Sequence, residues 1–186
     1  MIVRFEQVNK DNLDIATAVQ QRIFPDEHGD KEITQSAIEK YLDPLFLIRK
    51  SWLGLFENGE PAGIVGLYAY KEYPSDIWLD WFGILPEHRS KGYGSRLLKF
   101  AKQEAMKLGF DCLRLWTDDK DNEYAVAWYQ KDGFILEIYS NPDDEHIQSG
   151  NTVILSIGLN GNTPEKWDNK NIYLKKFYHE VLGRKK

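Results

Sequence analysis

Short segments in the first half of the chain show two hydrophobic patterns that are typical of strands, alternation with a period of two and continuous apolar runs. Alternation predicts a strand over 2–8, apolar runs predict strands over 51–57 and 62–70, and a further strand is predicted over 77–85. Asn58-Gly59 separates the second strand from the third, and this pair favours a tight turn because both residues tolerate positive φ. Pro86 follows the fourth strand and ends it. The middle of the chain is therefore expected to form an antiparallel meander.

Other segments repeat apolar residues every three to four positions, which is typical of amphipathic helices. This period predicts helices over 11–23, 33–42, 95–108 and 123–131, and a last helix from Thr163 onward. Asp11 and Thr163 are suitable N-caps, and Pro164 suits the first helical position. Apolar runs predict three further strands, over 112–117, 134–139 and 152–159. This order of elements predicts a mixed α/β fold of the α+β class.

A chain of 186 residues fits one domain with a core of its own. We expect this domain to span 1–160. The helix predicted over 161–186 carries an apolar stripe that must be buried, either on the same domain or on a partner. A homodimer is therefore left open by the sequence.

Composition narrows the class of protein. Hydrophobic residues make up 42% of the chain and charged residues 28%, which favours a globular protein over a disordered one. No apolar run reaches the roughly 18 residues that a membrane helix needs, and the charged N-terminus does not resemble a signal peptide. Cys112 is the only cysteine, so a reducing compartment is the simplest assumption and a cytoplasmic location is expected, with no membrane partner.

The formal net charge of -5 is unevenly distributed. Residues 161–186 carry seven Lys and Arg against three Asp and Glu, a balance of +4 that leaves -9 for the body before them. An acidic body disfavours binding to nucleic acid and mildly favours cationic small molecules or peptides.

The segment 81–98 contains the most informative loop of the chain. An apolar strand ends at Pro86, a short basic loop with Gly92 and Gly94 follows, and an amphipathic helix begins at once. Glycines let the backbone approach a ligand closely, and a helix N-terminus favours phosphate through its free N–H groups and its dipole. A Rossmann fingerprint is excluded because Leu97 stands where the third glycine belongs, and a P-loop is excluded because no Gly-Lys-Ser/Thr is present. This loop alone leaves two interpretations open: a cradle that binds a pyrophosphate, or two glycines that only shape the start of a helix.

Two motifs resemble the signatures of the GNAT acetyltransferase superfamily. The first is Arg89-x-x-Gly92-x-Gly94, which is similar to the family's loop for the pyrophosphate of coenzyme A. The second, about thirty residues on, is Asn122-Glu123-Tyr124-Ala125-Val126-Ala127-Trp128-Tyr129-Gln130-Lys131-Asp132-Gly133-Phe134. The resemblance covers about 2–159 and implies a central, mostly antiparallel sheet that is splayed in its middle and flanked by helices. It also implies acetyl-CoA as cosubstrate and direct transfer of the acetyl group to an amine in a ternary complex.

The resemblance assigns a cofactor site residue by residue. The loop amides would hold the pyrophosphate, with a further bond from the Ser95 hydroxyl, and the end of the fourth strand would pair with pantetheine together with the Asn122 amide. The implied cofactor-binding residues are Phe82, Gly83, Ile84, Arg89, Ser90, Lys91, Gly92, Tyr93, Gly94, Ser95 and Asn122. No metal site is expected, because the histidines and the cysteine lack ligand spacing.

Two catalytic residues follow from the same resemblance. Tyr129 matches the family tyrosine that protonates the departing thiolate, although many tyrosines at helix ends only pack. Asp80 is the best match for a general base, and the alternative is a salt-bridged or edge-exposed carboxylate. The loop histidines His28 and His146 are lesser candidates for the base.

The acceptor is the least determined part of the site. Loops expected to border it hold Asp26, Glu27 and Asp30, and Asp143, Asp144 and Glu145. These carboxylates suggest a cationic acceptor such as a polyamine, an amino sugar or a basic peptide N-terminus, or they are simply solvated. Two rival functions share the fold: a CoA-binding regulatory protein without catalysis, and an acetyltransferase directed at nucleic acid, which the acidic body disfavours.

Overall fold

The computed structural model describes residues 1–140, 151–168, 170 and 172. The described residues form a mixed α and β fold with four α-helices and seven strands, and the strands are mostly antiparallel. The chain divides into two compact units, residues 1–113 and residues from 114 onward. None of the described helices combines the length and apolar character that a membrane crossing requires.

The first unit contains the antiparallel meander that the apolar runs and the Asn58-Gly59 turn predicted. The strands pair in chain order as β1 (Arg4–Gln7), β2 (Phe46–Leu55), β3 (Pro61–Tyr70) and β4 (Asp76–Ile84). Gly59 has a φ of 84° in the turn between β2 and β3, where a residue without a Cβ avoids strain. The meander was therefore correctly predicted, turn included.

One irregularity in this sheet bears on the site. Gly66 of β3 lies opposite Asp80 of β4, whereas Ile64 lies opposite Gly83. Three steps along β4 thus correspond to two along β3, which is a β-bulge at Trp81 and Phe82. Bulges redirect side chains and backbone groups, and they are common beside active sites.

Three helices pack on the first unit: α1 (Leu13–Ile23), α2 (Asp30–Ala37) and α3 (Tyr93–Lys107). Between α1, α2 and the sheet lies a core of wholly or nearly buried residues, including Val8, Ala16, Val19, Ile23, Ile33, Leu53, Ile64 and Leu85. The helix predicted over 33–42 in fact begins at Asp30 and ends at Ala37, and a 3₁₀ turn over Glu39–Tyr41 follows it. The N-cap of α1 is Asn12, one residue later than predicted.

The second strand begins at Phe46, five residues before the predicted start. Phe46 pairs with Tyr70, and its ring contacts the rings of Tyr68 and Tyr70. These cross-strand aromatic contacts extend the ladder, and a strictly alternating pattern in the sequence does not show them.

The second unit holds β7 (Thr152–Gly158) between β5 (Cys112–Asp118), whose first residues lie at the unit boundary, and β6 (Ile135–Ile138). The pair β6–β7 is antiparallel. One helix, α4 (Glu123–Lys131), matches its predicted bounds. It ends at Gly133, whose φ of 96° favours glycine.

The helix predicted from Thr163 is wrong over the described part of that segment, since residues 162–168 are not helical. The Glu137 carboxylate accepts hydrogen bonds from the backbone N–H groups of Trp167 and Asp168, both at 2.8 Å. Arg114 donates to the Glu165 carbonyl at 2.8 Å and to the Ser156 hydroxyl at 2.7 Å. These side chains take the backbone groups that a helix would use, and the segment is fixed with Trp167 wholly buried. Most of the predicted helix lies outside the described residues, and the division into 1–160 and 161–186 stays a prediction.

Candidate active site

The predicted cradle is a short turn between β4 and α3. A 3₁₀ turn over Pro86–His88 follows Leu85, and α3 begins at Tyr93, two residues before the predicted start. Ser90 and Gly92 have φ values of 60° and 77°. These two residues have left-handed backbone conformations and lie directly before the N-terminus of α3. Amides of the loop and of the first helical turn therefore follow one another at this helix end.

Side chains on either side hold the loop in place. Arg89 Nε donates to the Ile84 carbonyl at the end of β4, at 3.1 Å. Lys91 Nζ donates to the Glu87 carbonyl at 2.9 Å. The rings of His88 and Tyr93 both pack edge-on against Phe56, with centroids 4.7 and 5.4 Å away. The loop is thus braced at both ends while its middle stays exposed.

The residues present fit a diphosphate group. No described side chain caps the N-terminus of α3, so its first-turn amides are not occupied by a cap. A Cβ added at Gly92 would meet nothing within 4 Å, so the space over the loop is open. The loop therefore suits an anion. It offers open space, uncapped amides, the positive end of a 15-residue helix and two basic side chains.

Asp80 occupies the middle of β4, in the strand that leads into the cradle. Its Oδ2 accepts a hydrogen bond from Arg49 Nη1 of β2 at 2.6 Å, and the two side chains are 12% and 6% exposed. Burial raises the pKa of the Asp80 carboxyl, the Arg49 guanidinium lowers it, and the Glu32 carboxylate raises it again, with a net upward shift. A buried carboxyl with a raised pKa holds a proton more readily than a surface one.

Phe82, Gly83 and Ile84 follow Asp80 at and just after the bulge. Phe82 and Gly83 are partly exposed and Ile84 is buried. At Gly83 a Cβ would collide with the Ile23 side chain and touch the Phe24 ring. The absence of a side chain at Gly83 therefore lets the end of α1 approach β4.

Asn122 and Tyr129 belong to the second unit. Asn122 is exposed at the N-cap of α4, and its side chain makes no capping bond. Tyr129 is buried, with its ring against Trp128 and Phe134 at centroid distances of 5.0 and 5.2 Å. Burial raises the pKa of the Tyr129 phenol well above its usual value, so the phenol keeps its proton throughout the neutral range.

The structure brings some of the predicted residues together. Asp80, Phe82–Ile84 and Arg89–Ser95 are consecutive parts of the first unit, while Asn122 and Tyr129 share α4 in the second. His28 is exposed, and His146 lies outside the described residues together with Asp143, Asp144 and Glu145. No group of three metal-ligating side chains occurs among the residues that the structure describes.

Arg49 was missed by sequence reasoning. Asp80 is a lone anion between Leu79 and Trp81, and Arg49 follows the apolar residues 45–48 with Lys50 beside it. A buried charge is costly unless it is paired, which predicts a cation for Asp80, but Arg49 precedes the strand predicted over 51–57 and was therefore not recognised as that cation.

Comparisons with known proteins are consistent with this geometry. A sequence model described as the acetyltransferase (GNAT) family matches residues 14–134. A search of curated proteins found no match. Among solved structures, similarity extends to the ribosomal-protein-S18-alanine N-acetyltransferase from Escherichia coli, at 18% identity over 88% of this chain and 98% of that one, with a TM-score of 0.60.

Two further structures are similar at comparable levels. One is a chimera of the spermidine N-acetyltransferase SpeG from Vibrio cholerae, at 18% identity over 84% of this chain and 96% of that one, with a TM-score of 0.62. The other is NAA60 from Arabidopsis thaliana in complex with a bisubstrate analogue, at 14% identity over 86% of this chain and 99% of that one, with a TM-score of 0.61. At these identities the likeness establishes the fold.

Proposed function

Because the chain belongs to the acetyltransferase (GNAT) family, we propose that it is an N-acetyltransferase that moves the acetyl group of acetyl-CoA to a primary amine. The observation that carries this proposal is the open, uncapped loop at the start of α3, directly after the strand that holds Asp80. Acetyl-CoA when bound supplies a thioester carbonyl as acetyl donor. The single cysteine and the reducing environment it suggests make the cytoplasm the proposed location.

The cradle binds and orients the cosubstrate. The amides of Arg89 to Ser95 would hold the diphosphate, and the Arg89 and Lys91 side chains would add positive charge. Backbone groups of Phe82 to Ile84 and the Asn122 amide would hold pantetheine, and an N–H near Phe82 or Gly83 would polarise the thioester carbonyl. Fixed donors of this kind stabilise the negative charge that develops on the carbonyl oxygen better than water does, because they need no reorganisation during the reaction.

Asp80 would act on the acceptor. An ammonium has a pKa near 10 and cannot attack until it loses a proton. In the proposed step an N–H bond of the ammonium breaks, an O–H bond forms on the Asp80 carboxylate, and the nitrogen lone pair becomes available for attack. The raised pKa of Asp80 favours this step, because a more basic carboxylate takes a proton more readily.

Tyr129 would supply the balancing proton. The leaving thiolate gains a proton from the phenol, whose raised pKa guarantees that the proton is present at neutral pH. Starting from the ammonium, the nitrogen loses two protons, the first to Asp80 before attack and the second after the C–N bond has formed and the C–S bond has broken. One of these protons replaces the one that Tyr129 gave to the thiol, and the other is released to solvent, so no oxidant or reductant enters the balance.

A cationic acceptor is the finer part of the proposal. Exposed Asp26 and Glu27 lie between α1 and α2, and exposed Asp30 is the first residue of α2. Half-buried Glu32, also on α2, is close enough to Asp80 to raise its pKa. These carboxylates would attract an amine that carries a second positive charge. The similar structures include an enzyme named for spermidine, a cationic polyamine, and one named for the alanine of ribosomal protein S18.

The alternative is a CoA-binding regulatory protein of the same fold that does not catalyse. It would need the cradle but neither Asp80 nor Tyr129. Titration of acetyl-CoA into the purified protein tests binding, and release of free thiol with and without a panel of amines tests catalysis. Thiol release that rises with an added amine supports the enzyme, whereas binding without any amine-dependent release supports the alternative. Absence of acetyl-CoA binding contradicts both.

A further inference from the structure

Arg49 reaches Asp80 across an intervening strand. The two residues lie on β2 and β4, and β3 separates these strands. At this level β3 has Gly66, and a Cβ there would come within 2.8 Å of the Asp80 Cβ and 3.1 Å of the Ser51 hydroxyl. The absence of a side chain at Gly66 therefore leaves room for the Asp80 side chain, whose Oδ2 accepts a hydrogen bond from Arg49 at 2.6 Å.

Aromatic rings fix the guanidinium where it lies. Its central carbon is 4.5 Å from the centroid of the Phe46 ring and 5.0 Å from that of the Tyr68 ring. Such contacts favour a cation over the ring faces, and more so where water is excluded. Arg49 Nε has no hydrogen-bond partner among the described residues. The guanidinium therefore contacts the rings of Phe46 and Tyr68 and the Asp80 carboxylate, and it fixes the orientation of that carboxylate.

Several titratable groups face Asp80. Arg49 reaches it from β2 and Glu32 from α2, while Tyr70 on β3 interacts with Tyr68, Arg49 and Asp80. Burial raises the pKa of Tyr70 well above its usual value, so this phenol stays neutral at physiological pH. Arg49 is the one cation in this set of named neighbours, and it is the group that opposes the effects of burial and of Glu32.

We infer that Arg49 is a positioning residue of the proposed reaction, which orients the Asp80 carboxylate through Oδ2 and places a positive charge beside it. This inference rests on the proposed function. A base must release its proton after each turnover as well as accept it, so a carboxylate buried without its cation would remain protonated and idle. The ion pair opposes the effect of burial on the pKa of Asp80 and holds its carboxylate in one orientation.

Replacement of Arg49 tests the inference by two readings. Arg49→Met removes the charge, and the pKa of Asp80 should rise by about one unit or more, the effect expected of a cation within hydrogen-bond distance. The first reading is an NMR titration of the Asp80 carboxyl carbon, assigned by comparison with Asp80→Asn. The second is the pH dependence of kcat/KM, whose acidic limb should move upward by the same amount, with a fall in kcat rather than a rise in KM.

Arg49→Lys is the second variant, for the case that Arg49→Met does not fold, since lysine keeps a positive charge in the site. Lysine lacks the planar fork and the stacking of arginine, so we expect a smaller upward shift of the Asp80 titration and a kcat reduced at least several-fold. Arg4→Met, which removes an arginine from an exposed pair with Glu6 at 3.7 Å, is the matched control and should change neither reading.

An Asp80 titration in Arg49→Met or Arg49→Lys that coincides with the wild type would overturn the inference and reduce Arg49 to packing. The proposed function fails separately. If the wild type releases no thiol with any amine, the enzyme is contradicted, while the NMR titration still decides whether Arg49 controls the proton affinity of Asp80.

Discussion

Gly92→Glu is the perturbation that tests the cradle most sharply. Gly92 has a φ of 77°, and a side chain there would project into open space beside the N-terminus of α3. A residue with a Cβ in this left-handed conformation is strained by about 1–2 kcal/mol. The new carboxylate would compete with the diphosphate for the same amides. At about 4 Å it would repel each phosphate charge by between ~1 kcal/mol in water and ~4 kcal/mol at the dielectric of a protein surface.

The chain provides a matched control at the other end of the same helix. Gly109 follows the C-terminus of α3 with a φ of 87°, and a Cβ there would also meet nothing within 4 Å. Gly109→Glu thus carries the same backbone strain and the same added charge. Its carboxylate lies at the negative end of the helix, so this variant should be the less stable of the two.

Calorimetric titration of acetyl-CoA into the wild type and both variants separates binding from stability. The repulsion corresponds to a dissociation constant raised by roughly 5-fold to 1000-fold in Gly92→Glu. Gly109→Glu should bind as the wild type does, even though its midpoint of urea unfolding is lower. Equal affinity in the two variants would refute the assignment of the cradle, because the only relevant difference between them is the position of the charge.

Three further predictions follow from the described geometry. Tyr129→Phe should lower kcat by roughly 10²-fold to 10⁴-fold, the usual contribution of a positioned acid, with an unchanged dissociation constant for acetyl-CoA; an unchanged kcat in steady-state thiol release would remove Tyr129 from the mechanism. The acidic limb of kcat/KM due to Asp80 should lie above the ordinary aspartate pKa of about 3.9, because the folded protein raises the pKa of Asp80. Asp80→Asn should abolish that limb. A limb at or below the ordinary value would contradict the assignment. Glu137→Gln should lower the free energy of unfolding by roughly 1–3 kcal/mol, since this carboxylate accepts hydrogen bonds from the two backbone amides of Trp167 and Asp168. Glu57→Gln, at an exposed position of the first unit, should change it little, and urea unfolding followed by tryptophan fluorescence measures both.

Local patterns predicted much of the fold because they act over a few residues. The Asn58-Gly59 turn, the helix over Glu123–Lys131 and the glycine loop before α3 each depend on neighbours in sequence. The early start of β2 depends instead on Phe46 meeting Tyr70, a contact between residues far apart in the chain.

The segment from Thr163 shows a different limit. Thr163, Pro164 and Glu165 form a favourable helix start by themselves. The Glu137 carboxylate and the Arg114 guanidinium nevertheless bind the backbone there, and tertiary contacts of this kind outweigh a local propensity of a few tenths of a kcal/mol per residue.

The candidate site divides in the same way. The conformation of the loop before α3 could be predicted because its glycines and the start of the helix are consecutive, and its binding of a diphosphate stays a prediction. The surroundings of Asp80 could not be predicted, since Arg49 and Glu32 act on it from other elements and Gly66 on the neighbouring strand leaves room for its side chain. Burial and pairing of a charge are properties of the assembled sheet, and a single strand does not contain them.

The central claim, transfer of acetyl from acetyl-CoA to an amine, is tested most directly by the product. The wild-type protein would be incubated with acetyl-CoA labelled in its acetyl group and a panel of cationic and neutral primary amines, and the amines would be analysed by mass spectrometry alongside free thiol. The account predicts labelled acetyl on the nitrogen of at least one amine, in equal amount to the thiol released. Thiol release that yields only free acetate, or tight acetyl-CoA binding with no labelled amine, would contradict it.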